Sequence, residues 1–190
     1  MNLYVSDLDG TLLSNNAEIS SLSKKLLNEA IANNTKFTIA TARTPATVVK
    51  ILQGININMP VITMNGSAIF DINTNSYSHY ITIDNNLINP IQNLIKSEGL
   101  IAFVYSIKEN HLFVYHDKLQ TKHQINFYKN RKGTAYKTFL EEPLPKDCDV
   151  LYFTIMDSPD KINSLYEKLK LIEGLSIVKY MDTYDTNVMN

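Results

Sequence analysis

The chain has 190 residues, of which 44% are hydrophobic, so it is long enough for one large domain or two small domains with a real core. Its 18 basic and 19 acidic residues give a formal net charge of −1, which argues against nucleic acid or an anionic membrane as a partner. The first residues lack the basic start of a signal peptide, and no apolar run reaches the length of a membrane span. We therefore expect a cytoplasmic protein, and its single cysteine, Cys148, excludes an intramolecular disulfide.

The first 70 residues alternate strand and helix signals. Apolar runs predict three strands, at Leu3–Ser6, Lys36–Ala40 and Pro60–Met64. Between them the sequence predicts one helix from a capping serine at position 20 or 21 to Asn33, and another from Thr44–Pro45 to Gly54. The apolar face of the first helix is predicted to consist of Leu22, Leu26, Leu27, Ala30 and Ile31. This strand–helix order indicates a parallel sheet with right-handed crossovers.

The pattern changes after Asn65. Segments 67–72 and 77–83 flank an Asn/Thr/Ser turn and predict a hairpin. Further along, helices are predicted at residues 84–95, 118–128 and 159–172, and strands at residues 100–107, 111–116, 150–156 and 175–181. Short polar turns between strands, with helices interspersed, indicate an α+β module with a largely antiparallel sheet. We place the boundary near Ile83, giving domains at residues 1–83 and 84–190.

The most informative stretch is the acidic segment that follows the first predicted strand, Asp7-Leu8-Asp9-Gly10-Thr11-Leu12-Leu13. It lies where an open α/β sheet binds its ligands, at the carboxyl end of a strand. Leu8 separates the two acids, so they converge only if the chain bends, and Gly10 permits a bend. Two carboxylates and free backbone N–H groups can hold a divalent cation beside a phosphoryl group. A plain Asp-Gly turn at the surface is the alternative.

Two further polar segments follow the next two strands. Thr41-Ala42-Arg43 precedes a helix start, where a hydroxyl, N–H groups and a guanidinium can bind phosphate. Asn65-Gly66 follows the third strand and places an amide at the same edge of a parallel sheet. Taken singly, these segments are equally typical of a helix approach and a tight turn. Their occurrence at three successive strand ends favours one shared phosphate site.

These three segments resemble the opening motifs of the haloacid dehalogenase superfamily of phosphohydrolases, most closely its Cof-type branch of sugar-phosphate and related phosphatases. The resemblance implies an α/β fold with a Rossmann-like parallel core and an inserted α+β cap domain. It implies that Asp7 is the nucleophile and that Asp9 is the general acid and then the base. It also implies Mg²⁺ bound by Asp7 and by the backbone carbonyl of Asp9. Thr41, Ala42, Arg43, Asn65 and Gly66 would surround the phosphate, and Leu8 and Gly10 would supply the backbone of the nucleophile loop.

The sequence departs from this family in one respect. The family has a later lysine and a Gly-Asp-rich acidic segment that complete the site, and this chain contains no Gly-Asp pair. We therefore expect only the N-terminal half of the core and the cap, with little or no turnover from these residues alone. The first strand, Leu3–Ser6, would then be exposed, and we expect it to pair with another chain, to be left short or to be covered by swapped elements.

The substrate is expected to be a small phosphorylated metabolite, and its identity is left open. Cap residues that face the cleft would select it, and a purely structural role is the alternative for each possible contributor: Tyr105, His111, Tyr115, His116 and Arg131. Two other functions remain open, a non-catalytic phospho-ligand binding or regulatory protein and a sugar phosphomutase.

Overall fold

The computed structural model describes residues 2–181 and 188–189. The chain divides into two compact units, Met1–Ile81 and Thr82–Asn190, close to the boundary predicted near Ile83. That the second unit acts as a cap stays a prediction. Within the described ranges, no helix is both long and apolar enough to cross a membrane.

The first unit is built on strands and helices that alternate as predicted. Strand β1 (Leu3–Ser6) pairs in parallel with β2 (Lys36–Ile39), and helix α1 (Ser21–Ala32) connects them. Helix α2 (Pro45–Ile51) leads to β3 (Val61–Thr63), which joins β2 through a single parallel bridge between Ala40 and Ile62. The α/β class with a parallel core is therefore confirmed.

A hairpin completes this unit. Strand β3 pairs antiparallel with β4 (Ala68–Asp71), and β4 pairs antiparallel with β5 (Ser76–Tyr80). The hairpin was predicted from the turn residues between its two strands. Fully or nearly fully buried apolar side chains from β2, α2, β3 and β4 form the core here: Ile39, Val48, Val61 and Phe70.

The outer side of the first unit is much less covered. Leu3, Tyr4 and Val5 of β1 are 52%, 56% and 50% exposed, and among the described strands β1 pairs only with β2. Helix α1 buries no residue, and Leu22 and Leu26 are 65% and 54% exposed. The other three residues of its predicted apolar face, Leu27, Ala30 and Ile31, are partly buried. Periodicity reports which residues share a face, but only a packing partner buries that face.

The second unit contains a four-stranded sheet in the order β8-β7-β6-β9. Its elements are α3 (Asn85–Ser97), β6 (Ala102–Lys108), β7 (His111–Tyr115), α4 (Lys122–Arg131), β8 (Lys137–Leu140), β9 (Asp149–Ile155) and α5 (Pro159–Leu169). Strand β6 pairs antiparallel with both β7 and β9, whereas β7 and β8 are parallel. The largely antiparallel sheet is thus as predicted.

Two groups of side chains hold this unit together. Helices α3 and α5 contribute to an aliphatic cluster that contains Ile91, Ile95, Leu100, Leu165 and Leu169. Ring contacts join strands β6 and β8 to helix α4 in a second, aromatic cluster of Phe103, His116, Phe127, Tyr128 and Phe139.

Three elements of this unit differ from the sequence-based expectation. Helix α4 begins at Lys122 and not at Lys118, because Thr121 and Gln124 form a reciprocal capping box. Strand β8 was not predicted. Residues 175–180 were predicted as a strand but form none, and Met181 makes only an isolated bridge with Met189. Leu175 and Ile177 pack against the aliphatic cluster instead of extending the sheet.

Candidate active site

The loop after β1 turns around a buried leucine. The side chain of Leu8 is fully buried, while Asp7 and Asp9 on either side of it are exposed. The Leu8 N–H donates to Oδ1 of Asp7 at 2.7 Å, and the Leu13 N–H donates to the Leu8 carbonyl at 2.9 Å, which closes the loop. Gly10 has a φ of +75°, a left-handed conformation that other residues adopt only at a cost. The bend expected at Gly10 is therefore present.

The loop after β2 carries Thr41, which is only 6% exposed. Its backbone N–H donates to the Ile62 carbonyl at 3.0 Å, and its hydroxyl oxygen accepts from the Arg43 N–H at 3.2 Å. Helix α2 then begins with Pro45 at its first turn. Thr44 occupies the N-cap position as predicted, although its hydroxyl makes no capping bond to the helix.

The loop after β3 has three successive residues in the left-handed region. Met64, Asn65 and Gly66 have φ values of 54°, 56° and 89°. This path lets the Met64 N–H donate to the Arg43 carbonyl at 3.0 Å and the Asn65 N–H donate to the Thr41 carbonyl at 3.2 Å. The second and third loops are therefore fastened to each other by their backbones, which fixes the position of Thr41 relative to the Asn65 turn.

The three loops surround one cavity of about 500 Å³ that lies within the first unit. Six residues singled out from the sequence line it together with two that were not, and the full lining is Asp7, Asp9, Ala40, Thr41, Ala42, Ile62, Asn65 and Gly66. Leu8 lies buried and Gly10 is outside the lining, which suits residues that only shape the loop. Ala40 and Ile62 were missed because an alanine and an isoleucine at strand ends carry no chemical signal.

Arg43 contacts one residue of the cavity lining, Asp9. Its Nε donates to Oδ2 of Asp9 at 2.8 Å and its Nη2 donates to Oδ1 at 2.6 Å, a bidentate ion pair. The hydrogen bonds from Arg43 hold the pKa of Asp9 below its ordinary value, and partial burial opposes this only in part. A general acid needs the reverse shift, so the ion pair with Arg43 opposes protonation of Asp9 in this arrangement. The role of general acid that the resemblance assigns to Asp9 stays a prediction.

The oxygen atoms at the cavity are of the chemical type that Mg²⁺ binds. Magnesium takes oxygen ligands in near-octahedral geometry and usually keeps several water molecules while binding only one or two carboxylates. The carboxylate of Asp7 and the backbone carbonyl of Asp9 are suitable donors, whereas Arg43 engages both carboxylate oxygens of Asp9. Among the described residues there is no group of three or more His, Cys, Asp or Glu side chains placed to hold a metal ion.

The residues considered for substrate selection lie in the second unit and are mostly engaged in packing. Tyr105 is 3% exposed and stacks on Tyr152 with ring centroids 4.2 Å apart. His116 is 4% exposed within the aromatic cluster. His111 contacts the Thr138 hydroxyl at 2.9 Å, the Arg131 guanidinium lies 4.0 Å from the centre of the Phe127 ring, and Tyr115 is partly buried.

Two proteins with similar sequences are named as phosphatases. A Buchnera aphidicola protein (subspecies Acyrthosiphon pisum) that is provisionally named a phosphatase is 30% identical over 156 residues, which cover 78% of this chain and 53% of that protein. Phosphatase YwpJ of Bacillus subtilis is 30% identical over 106 residues, covering 56% of this chain and 37% of the relative. The chain thus spans about half the length, or less, of these relatives.

Solved structures show the same fold at low sequence identity. A haloacid dehalogenase-like hydrolase from B. subtilis superposes with a TM-score of 0.71 at 17% identity, covering 100% of this chain and 72% of that one. A sugar phosphatase of subclass IIB of the superfamily gives a TM-score of 0.63 at 17% identity, covering 90% and 64%. The family model for haloacid dehalogenase-like hydrolases matches residues 4–189. The chain therefore belongs to the haloacid dehalogenase-like hydrolase family.

Proposed function

We propose that this chain provides the nucleophile and phosphate-binding part of a Mg²⁺-dependent, Cof-type cytoplasmic phosphatase that acts on small phosphorylated metabolites. The observation that carries the proposal is the cavity in which Asp7 and Asp9 lie opposite Thr41 and Asn65. Membership of a hydrolase family and relatives named as phosphatases support the reaction class. The sugar phosphatase with the same fold supports a small phosphorylated substrate.

Asp7 is the group that we assign to attack. A carboxylate oxygen of Asp7 forms a bond to phosphorus while the bond from phosphorus to the substrate's alkoxide oxygen breaks, which leaves an aspartyl-phosphate. Mg²⁺, when bound by Asp7 and the Asp9 carbonyl, would neutralise charge on the phosphoryl oxygens. The exposure of Asp7 in the cavity supports this assignment, because the nucleophile has to reach the substrate. The Leu8 N–H, which donates to Asp7, holds its carboxylate in one orientation.

Asp9 is assigned to proton transfer. It gives a proton to the leaving alkoxide and later takes one from the water that attacks the aspartyl-phosphate, so the protons balance over one turnover. The first of these steps requires Arg43 to release Asp9. A phosphate dianion entering the cavity competes for the guanidinium, and the loss of those hydrogen bonds removes the main cause of the lowered pKa of Asp9.

Thr41 and Asn65 are assigned to the phosphate. A hydroxyl and an amide can donate to phosphate oxygens, and catalysis of phosphoryl transfer consists largely of such positioning and charge stabilisation. The hydrogen bond from the Asn65 N–H to the Thr41 carbonyl fixes the two residues relative to each other. The family's additional lysine and acidic segment are not identifiable in this sequence, so we expect weak turnover from the 190 residues alone.

Hydrolysis of p-nitrophenyl phosphate tests the proposal. The chain, its Asp7→Asn variant and a form extended by the C-terminal segment of a family member should be compared with and without Mg²⁺. We expect Mg²⁺-dependent hydrolysis, strongest in the extended form and abolished by Asp7→Asn. Hydrolysis that persists undiminished in Asp7→Asn contradicts the assignment of the nucleophile.

The ion pair between Arg43 and Asp9 favours a second candidate, a protein that binds phosphorylated ligands without hydrolysing them. An Asp9 that stays ionised cannot protonate a leaving group, yet Thr41 and Asn65 still offer contacts to phosphate. An inert extended form that glucose 6-phosphate nevertheless stabilises against heat would select this alternative.

Transfer of the phosphoryl group within a sugar phosphate, without release of inorganic phosphate, would select the phosphomutase.

A further inference from the structure

A second cavity is lined only by residues of the second unit, none of which is assigned to phosphate chemistry. It has a volume of about 600 Å³ and is formed by the end of α4, the loop that follows it and strand β8. Its lining consists of Tyr128, Lys132, Gly133, Thr134, Ala135, Lys137, Thr138 and Phe139. Pockets for small organic ligands commonly have volumes of about 300–1,000 Å³, so the space suits a metabolite.

Among the described residues, the charged side chains that line this cavity are all positive. Lys132 and Lys137 belong to the lining, and no aspartate or glutamate of the described ranges does. The ammonium of Lys132 lies 5.2 Å from the centre of the Tyr128 ring, and that of Lys137 lies 5.3 Å from the centre of the Phe139 ring. Cationic groups over aromatic faces define a site with a positive rim and apolar walls.

Lys137 sets this cavity apart from an ordinary patch of surface lysines. It is 4% exposed and is the one lysine or arginine among the buried residues of the described chain. Burial and the neighbouring charge of Arg131 lower the pKa of Lys137 to about 8. A nearby anion acts in the opposite direction and favours the ammonium form. An anion that entered the cavity would therefore favour the charged form of Lys137.

We propose that this cavity binds a small organic anion, with its phosphate or carboxylate group between Lys137 and Lys132 and its apolar part against Tyr128 and Phe139. The hydroxyls of Thr134 and Thr138 already bond to the Arg131 carbonyl at 3.0 Å and to His111 at 2.9 Å. They therefore shape the wall, and the two ammonium groups provide the recognition. The inference is independent of the phosphatase proposal, because each residue it uses belongs to the second unit.

Lysine-specific labelling tests this site directly. The chain is treated with a limiting amount of acetic anhydride, and acetylation of each lysine is followed by mass spectrometry with and without citrate or inorganic phosphate. We expect at least one of these anions to slow the labelling of Lys137 and Lys132 several-fold, while Lys129, which lies on α4 and does not line the cavity, is unaffected. Protection by phosphate alone identifies a phosphate site, and protection by citrate alone identifies a carboxylate site. Equal protection of all lysines, or no protection of Lys137, overturns the proposal.

Matched variants test whether the protection of Lys137 is specific to this cavity. Lys132→Gln removes one positive group from an exposed position, so it cannot disturb the core, and it should abolish most of the protection of Lys137. Lys129→Gln is the control, because it makes the same change at an exposed lysine of α4 that does not line the cavity, and protection should persist. Arg43→Gln should also leave protection intact, which separates this site from the cavity at Asp7. Protection of Lys137 that survives Lys132→Gln unchanged contradicts the two-lysine site.

Discussion

Arg43 holds both carboxylate oxygens of Asp9 across 34 positions of sequence, with contacts of 2.8 and 2.6 Å. The two residues come from the loops after β2 and β1, so the contact depends on the parallel pairing of those strands. The contact favours the ionised form of Asp9, and it gives Arg43 a partner that a phosphate dianion can replace. The pair therefore links the fold of the first unit to the proposed proton transfer.

Replacing Arg43 by glutamine should raise the pKa of Asp9. The hydrogen bonds from Arg43 are the largest cause of the lowered value, and their loss leaves burial, which raises it. Because the folded-state pKa lies below the ordinary 3.8, the pair stabilises the fold above that pH, and this contribution disappears as the pH falls through the lowered value. Carboxyl ¹³C NMR titration measures the shift, with Asp9→Asn to assign the signal. An unchanged pKa in Arg43→Gln would show that the ion pair does not form in solution.

Leu8→Ala should destabilise the first unit strongly. Truncating a fully buried leucine typically costs about 2–5 kcal/mol, and Leu8 is 0% exposed beneath the acidic loop. Leu22→Ala is the matched control, because it makes the same chemical change at a side chain that is 65% exposed, where little loss is expected. Urea unfolding of the two variants measures the difference. Similar losses in both would contradict the burial of Leu8.

Gly10→Ala should destabilise the acidic loop by about 1–2 kcal/mol, the cost of a left-handed conformation for an L-residue with a side chain. An added Cβ would meet no atom within 4 Å, so the cost is one of backbone conformation and not of crowding. Gly10→Asn should cost less, since asparagine tolerates that region better. Urea unfolding of both variants tests the order, and a loss in Gly10→Asn equal to or larger than that in Gly10→Ala would contradict it.

Strand β1 should promote association with a second copy of the chain. Among the described strands β1 has only β2 as a neighbour, so its other edge can pair antiparallel with the same strand of another molecule, and Leu3–Ser6 contains no charge to repel the copy. Sedimentation velocity over a range of concentrations should show dimers, and Val5→Lys should shift the protein towards monomer. Thr47→Lys, a partly buried position on α2, is the control expected to leave association unchanged. A protein that is monomeric at all concentrations would exclude this pairing.

The acidic loop was predictable because its requirements are local. Two acids around an apolar residue, followed by a glycine, specify a turn with Leu8 inward and both carboxylates outward. The ion pair between Arg43 and Asp9 was not predictable, because it depends on how two strand ends meet and on the choice of one partner among several acids. The sequence indicated that Arg43 binds phosphate, whereas the structure shows Arg43 paired with Asp9.

Other differences arise from packing partners that a sequence does not reveal. Helix α1 has the periodicity of an amphipathic helix, yet only part of its apolar face is covered, and Leu26 is 54% exposed. Strand β8 escaped prediction because it has only four residues and begins with Lys137, a residue type that is depleted in strands. Its residues are extended because β7 pairs with them after the crossover through α4.

Binding of beryllofluoride, an analogue of the phosphoryl group on an aspartate, measures the central assignment without requiring turnover. ¹⁹F NMR of the 190-residue chain with Mg²⁺ should show a bound signal that disappears in Asp7→Asn and persists in Asp117→Asn, an exposed aspartate of the second unit. Loss of the signal on removal of Mg²⁺ is also expected. A bound signal of equal intensity in Asp7→Asn would contradict the proposal that Asp7 accepts the phosphoryl group.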